Sequence, residues 1–153
     1  VAACTKQGAA DAPNTFIAYS TAFTPFMTWP SYQDTLADDG SLPAGVAGAR
    51  TQYINELPPH GATEFPIGTI IVEARADGKY FASVKRGGDF NPSGCVNWEF
   101  FELTVDPVTI SWRGLGPPIG DTYGGDPNGC NNCHVMCASN DYICSPKLQL
   151  SSF

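Results

Sequence analysis

Charge is scarce in this sequence. Asp, Glu, Lys and Arg make up 15% of the residues, against about 25% in an average globular chain, so few salt bridges are at hand to hold a fold. Basic residues are the rarest: eight Lys and Arg face fifteen Asp and Glu, for a formal net charge of −7. Phosphate backbones and anionic membrane surfaces repel such a chain, which excludes nucleic acid as an expected partner. Long apolar runs are missing as well. The longest fall far short of the roughly 20 residues that span a bilayer, and no basic stretch leads into an apolar one as a targeting segment would. Histidine and methionine are down to two each. Glycine and proline, by contrast, number 16 and 13, which marks a folded, turn-rich chain. At 153 residues there is room for one core and one domain, and most modular enzymes are excluded.

Six cysteines are present, unevenly spaced: Cys4 and Cys95 stand alone, while Cys130, Cys133, Cys137 and Cys144 crowd the last quarter. In a small chain of low charge this count suits an oxidising compartment, so a periplasmic or extracellular location is expected, with any signal peptide already removed. Val1-Ala2-Ala3-Cys4 resembles a lipobox. Because Val1 to Ala3 are still in place, a disulfide role for Cys4 is expected ahead of lipid anchoring.

Residues 1–15 are small and polar without periodicity and read as an extended N-terminal arm; residues 16–153 form a single domain. Phe23 to Trp29 is rich in aromatics. Pro30 is predicted to open a short helix through Tyr32, Thr35 and Leu36 that stops at Asp38-Asp39-Gly40. From Arg50 onward the pattern changes to short β-like runs at Arg50–Ile54, Thr69–Ala74, Tyr80–Lys85, Asn97–Thr104 and, more weakly, Val108–Trp112. Asp77-Gly78 is a tight-turn signal that pairs the second and third runs as a hairpin. Gly114 to Gly129 is dominated by Gly and Pro and reads as a loop carrying the cysteine-rich end to the sheet. The expected fold is mainly β (α+β), an antiparallel sheet with a few short helices.

Cys130-Asn131-Asn132-Cys133-His134 is a Cys-x-x-Cys-His motif, the attachment signature of c-type haem. Two thiols at this spacing add across the two vinyl groups as thioethers, and the adjacent imidazole then ligates the iron. Half of a zinc site would need a second pair of ligands, and no other Cys-x-x-Cys exists. One covalent haem is therefore expected, with Cys130, Cys133 and His134 binding it. The other cysteines, Cys4, Cys95, Cys137 and Cys144, are an even number, as two disulfides require. Ile70, Val72, Phe81, Val84, Phe100 and Leu103 are the sheet positions from which an apolar pocket could be drawn. The propionates need cationic partners, for which Lys6, Arg50, Arg75, Lys79, Lys85, Arg86, Arg113 and Lys147 are available; Arg50, heading a strand among uncharged residues, is preferred. The sixth iron position could take Met27, Met136 or His60, and an open or weakly ligated site is expected. Asp121, Asp126 and Asn128 could be calcium oxygens, but they fit no EF-hand spacing, and Asp-Pro-Asn-Gly is a good turn in its own right.

A haem motif near the C-terminus of a mostly β chain resembles the cytochrome P-460 / cytochrome c′-β family. The similarity runs over roughly residues 48–145 and includes Arg50-Thr51-Gln52-Tyr53-Ile54, Phe65 to Val72, Val84-Lys85-Arg86, Asn97 to Phe101, the motif itself and Asn140-Asp141-Tyr142. The resemblance implies a β-sheet homodimer with one haem per chain, His134 as proximal ligand and a distal pocket for a small nitrogen or oxygen species such as nitric oxide or hydroxylamine. In the hydroxylamine-oxidising members a lysine cross-links to the porphyrin. Glu73 stands at the matching position and cannot form that amine link; Asp141 is the nearest acid after the motif. Hydroxylamine oxidation is therefore not expected of this chain. Cys95, Cys137 and Cys144 look like additions that staple the haem segment, and the four cysteines allow three pairings, Cys137–Cys144 with Cys4–Cys95 among them. Two other readings stand beside this one: an electron carrier working with a redox partner, its sixth site closed by His60 or Met27, and a haem-bearing subunit of an extracellular homopolymer built through the N-terminal arm.

Overall fold

Among the described residues there are six strands, and each pairs antiparallel with the next, in a meander whose order follows the chain. The computed structural model describes residues 14–38, 40, 47–121 and 125–153. The strands are β1 (Ser31–Leu36), β2 (Gly48–Ile54), β3 (Ile70–Arg75), β4 (Tyr80–Lys85), β5 (Trp98–Thr104) and β6 (Thr109–Gly114). The β3–β4 hairpin turns at Asp77-Gly78, where Gly78 takes φ +82° and the Asp77 carboxylate accepts the Lys79 amide at 3.1 Å. A side chain would resist that backbone; glycine does not.

One expectation fails here. The stretch after Pro30 is not a helix but the edge strand β1, running from Ser31 opposite Tyr53 to Leu36 opposite Gly48. Its exposure alternates residue by residue, the period of a strand. The decisive partner is distant in sequence: Asp34 lies opposite Arg50 and forms an ion pair with it at 2.6 Å. Pro30 sits just before the strand, where its missing N–H breaks no ladder, and its carbonyl accepts the Ile54 amide at 3.0 Å.

Alternation gives the sheet two faces. The first carries Ile54, Ile71, Trp98, Phe100 and Trp112, covered by Phe65, Ile143, Leu148 and Leu150 from the loop before β3 and the C-terminal segment. The second carries Ile70, Val72, Ala82, Val84, Phe101 and Leu103, covered by Phe23 of the single-turn helix α1 (Ser20–Phe23) and by Ala18 and Phe26. Of the six apolar positions singled out from the sequence, four therefore lie on the second face, and only Phe81 and Phe100 lie on the first. The N-terminal cover is pinned by charge as well as by packing. Glu99, 2% exposed, accepts two Arg113 nitrogens at 2.7 Å and Arg86 at 3.2 Å, and Arg113 also donates to the Ala18 carbonyl. Residues 1–13, most of the expected arm, lie outside the described residues; Thr15 bridges to Gly87.

Candidate functional site

The Cys-x-x-Cys-His motif occupies α2 (Gly129–His134). The approach to this short helix is built by Asp126 and Asn128, two of the three loop residues considered above as calcium oxygens. Asp126 accepts the Asn128 amide on its carboxylate and the Gly129 amide on its carbonyl, both at 2.9 Å, so it serves the turn that starts the helix. Asn128 donates to the Asn132 side chain at 2.8 Å. Among the described residues no group of three or more His, Cys, Asp or Glu could hold a metal ion. Gly116 is required here: a Cβ would fall 2.4 Å from the Asp126 carbonyl and 2.5 Å from the Gly129 amide. Inside the motif, Asn131 docks the helix on the β4–β5 loop, its carboxamide oxygen accepting the Cys95 amide at 2.8 Å and the Asn91 side chain at 2.6 Å.

His134 ends α2 against the first face of the sheet, its imidazole 4.8 Å from the Phe100 ring. Its Nδ1 is 2.7 Å from the Tyr142 carbonyl oxygen. A carbonyl only accepts, so Nδ1 carries the proton, and Nε2 is left as the unprotonated nitrogen, the one able to ligate a metal. Burial holds this imidazole below its usual pKa, the Tyr142 contact opposing and the Arg50 charge reinforcing the effect, so the ring is neutral. The Tyr142 carbonyl is aimed by two successive left-handed residues, Asp141 at φ +49° and Tyr142 at φ +65°. Such residues cost on the order of 1–3 kcal/mol each and persist only where their surroundings hold them.

Cys130 and Cys133 are thiols, both half-buried. Burial, with the neighbouring Cys133 adding, pushes Cys130 up to about 12, and burial raises Cys133 as well. A dithiol oxidoreductase needs a lowered thiol pKa, so this environment opposes that use of the pair. Cys95 is buried and pairs with no cysteine among the described residues; its thiol donates to the Asn131 carbonyl at 3.5 Å, and burial pushes it up to about 12. Its suggested partner, Cys4, lies outside the described residues. Cys137 and Cys144 form a disulfide that closes the loop containing Asp141 and Tyr142. Closing a loop this short restricts the unfolded chain by about 2.5 kcal/mol. Replacing both by Ala is expected to lower the unfolding free energy by that amount in urea titrations; a change below about 0.5 kcal/mol would show the bridge to be dispensable.

Arg50, the preferred propionate partner, is engaged within the chain through all three guanidinium nitrogens: Nε to Asp34 at 2.6 Å, Nη1 to Glu73 at 2.8 Å, Nη2 to Asp34 and to the Cys144 carbonyl at 3.2 Å. It thus ties three strands to the segment that follows the motif. The Glu73 carboxyl is held above its usual pKa, burial outweighing the Arg50 charge. The folded state therefore keeps this proton longer than the unfolded one, and stability falls as pH rises from the ordinary glutamate pKa through the raised one. Glu73→Gln is accordingly expected to match the wild type near pH 3.5 and to gain on it steadily towards pH 7 in urea midpoints. A difference independent of pH would refute this.

Of the three residues named as sixth-ligand candidates, Met27 lies on the far side of the sheet from His134. It follows Phe26, buried in the second layer. His60 lies on His134's side, exposed in a turn whose Gly61 amide donates to the Phe153 carbonyl at 3.2 Å. Met136 is 71% exposed.

The chain matches no protein-family model, no curated protein and no solved structure. What the site can do therefore rests on its own chemistry. Two thiols one helical turn apart, followed directly by an imidazole whose Nδ1 is committed, are the donor set a covalently held haem requires, and the residues present fit that group. Sequence reasoning missed the Tyr142 carbonyl, Asn131 and the partner of Lys85. A backbone oxygen leaves no signature in a sequence; the asparagine inside the motif was the one signal that could have been followed.

Proposed function

We propose that this chain is a c-type monohaem protein of the cytochrome P-460 / cytochrome c′-β kind, with haem joined to Cys130 and Cys133 and His134 as proximal ligand. The observation that carries the reading is the 2.7 Å contact between His134 Nδ1 and the Tyr142 carbonyl, made at the end of the helix that bears the two thiols. The bound haem would supply an iron that takes a small ligand at its sixth position or exchanges an electron. The chain's part is to hold the imidazole neutral, to increase its donor strength through the Nδ1–H bond, and to pack Phe100 against it in place of water. A small nitrogen or oxygen species such as nitric oxide is the expected ligand, at an open or weakly held site, since the side chains on this side that could close it are both exposed. The Cys137–Cys144 disulfide supports a periplasmic or extracellular location.

Produced with haem-attachment machinery, the protein should give a pyridine haemochrome of the covalent type, one haem per chain, and a ferrous spectrum that changes on adding carbon monoxide. Haem removed by acidified solvent would overturn the attachment. An unchanged low-spin spectrum would overturn the open site and favour the electron carrier, for which His60, on the correct side of the sheet, is the ligand to test by His60→Ala.

A further inference from the structure

We propose that the buried Lys85–Asp141 ion pair is a positioning device for His134: it holds the Asp141–Tyr142 turn that aims the Tyr142 carbonyl at the imidazole, and so sets the ring's tautomer and donor strength. The consequence at iron rests on the haem reading above; the tautomer is a property of the chain alone.

Lys85 ends β4 on the face that carries His134 and is 2% exposed. Its ammonium lies 5.3 Å from the centre of the Trp98 ring and donates to both Asp141 carboxylate oxygens, at 2.6 and 2.7 Å. Glu64, largely exposed, stands 3.7 Å away. One Asp141 oxygen also accepts the Phe65 amide at 2.8 Å. The aspartate is therefore anchored to a strand end and to the loop before β3, both remote in sequence.

Around this anchor the backbone takes two left-handed residues in succession. Aspartate tolerates that conformation; tyrosine does not favour it. The Tyr142 amide donates to the Cys137 carbonyl at 2.9 Å, and the disulfide limits the loop from the other side. With the amide turned that way, the Tyr142 carbonyl meets His134. A pair needed only to fasten the C-terminal segment could be replaced by packed apolar side chains at little loss. The strained turn beside it is what such a replacement would not hold.

The test uses 15N-histidine NMR of the haem-free protein, with the reduction midpoint and the ferrous iron–histidine stretch of the loaded protein. Wild type should show the Nδ1–H tautomer of His134. Asp141→Gly keeps a residue at ease in the left-handed region but removes the tether, and Lys85→Met removes the other partner; both should mix the tautomers. In the loaded protein both should weaken the iron–histidine stretch and favour ferrous iron on the order of tenfold, a midpoint about 59 mV higher. Lys85→Arg should restore the wild-type tautomer. Should Lys85→Met fail to fold, the neutral double variant Lys85→Met/Asp141→Asn takes its place. A single Nδ1–H tautomer in variants that keep the native circular dichroism overturns the proposal, whatever the haem content. Absence of covalent haem in wild type overturns the haem reading and leaves the tautomer result standing.

Discussion

Replacing both Cys130 and Cys133 by alanine is expected to leave a folded chain from which acidified solvent extracts all of the haem. On the proposed attachment each thiol would account for one thioether, so either single variant should retain covalent haem through the remaining link, with a pyridine haemochrome band displaced towards that of haem with one free vinyl group. The fold should survive because neither sulfur is bonded to another: both behave as half-buried, small apolar groups. Cys95→Ala is the control. Its thiol is buried and bonded to the Asn131 carbonyl, which makes it a support for the helix and not an attachment point, so covalent haem should persist in that variant. Covalent haem surviving in the Cys130/Cys133 double variant would place the attachment elsewhere and remove the basis for His134 as proximal ligand.

Arg50→Met should cost about 3–5 kcal/mol of folding stability, the range for breaking a buried ion pair from one side. The side chains of Arg50 and Asp34 are 6% and 5% exposed, and that of Glu73 20%. Burial opposes the guanidinium charge, but the hydrogen bonds and charges of the two acids outweigh it and raise the Arg50 pKa. Methionine would leave both acids without this partner and release the Cys144 carbonyl. Arg50→Lys should recover only part of the loss, since one ammonium cannot span Asp34 and Glu73 as the planar fork does. Urea titration at neutral pH measures both. A loss below about 1 kcal/mol for Arg50→Met would mean that water screens the cluster and that Arg50 is open to another use, the haem propionates included.

Much of the sheet was legible in the sequence. The runs from Arg50 onward alternate or cluster in β-branched and aromatic residues, and Asp77-Gly78 marks a hairpin because only a few residues tolerate positive φ. The same local reasoning failed at residues 31–36. There a helix-start signal competed with a strand whose stabilising partner, Arg50, lies sixteen residues on; pairing across the chain overrode local preference. Composition likewise could not say which face of the sheet the motif would meet. Ile70 and Ile71 are neighbours of equal hydrophobicity, yet they sit in different cores, because successive side chains of a strand point to opposite sides.

By itself the sequence determined the antiparallel sheet from Arg50 onward and the spacing of two thiols and an imidazole, since turn chemistry, alternation and the reach of one helical turn are local properties that neighbouring residues express directly. Only the tertiary structure decided that β1 is a strand, that Arg50 is held by Asp34 and Glu73, that Cys95 is buried against the Asn131 carbonyl, and that Tyr142 presents its carbonyl to His134. Each of these depends on groups brought together from distant parts of the chain, or on a backbone atom that every residue possesses, and such contacts exist only once the chain has folded.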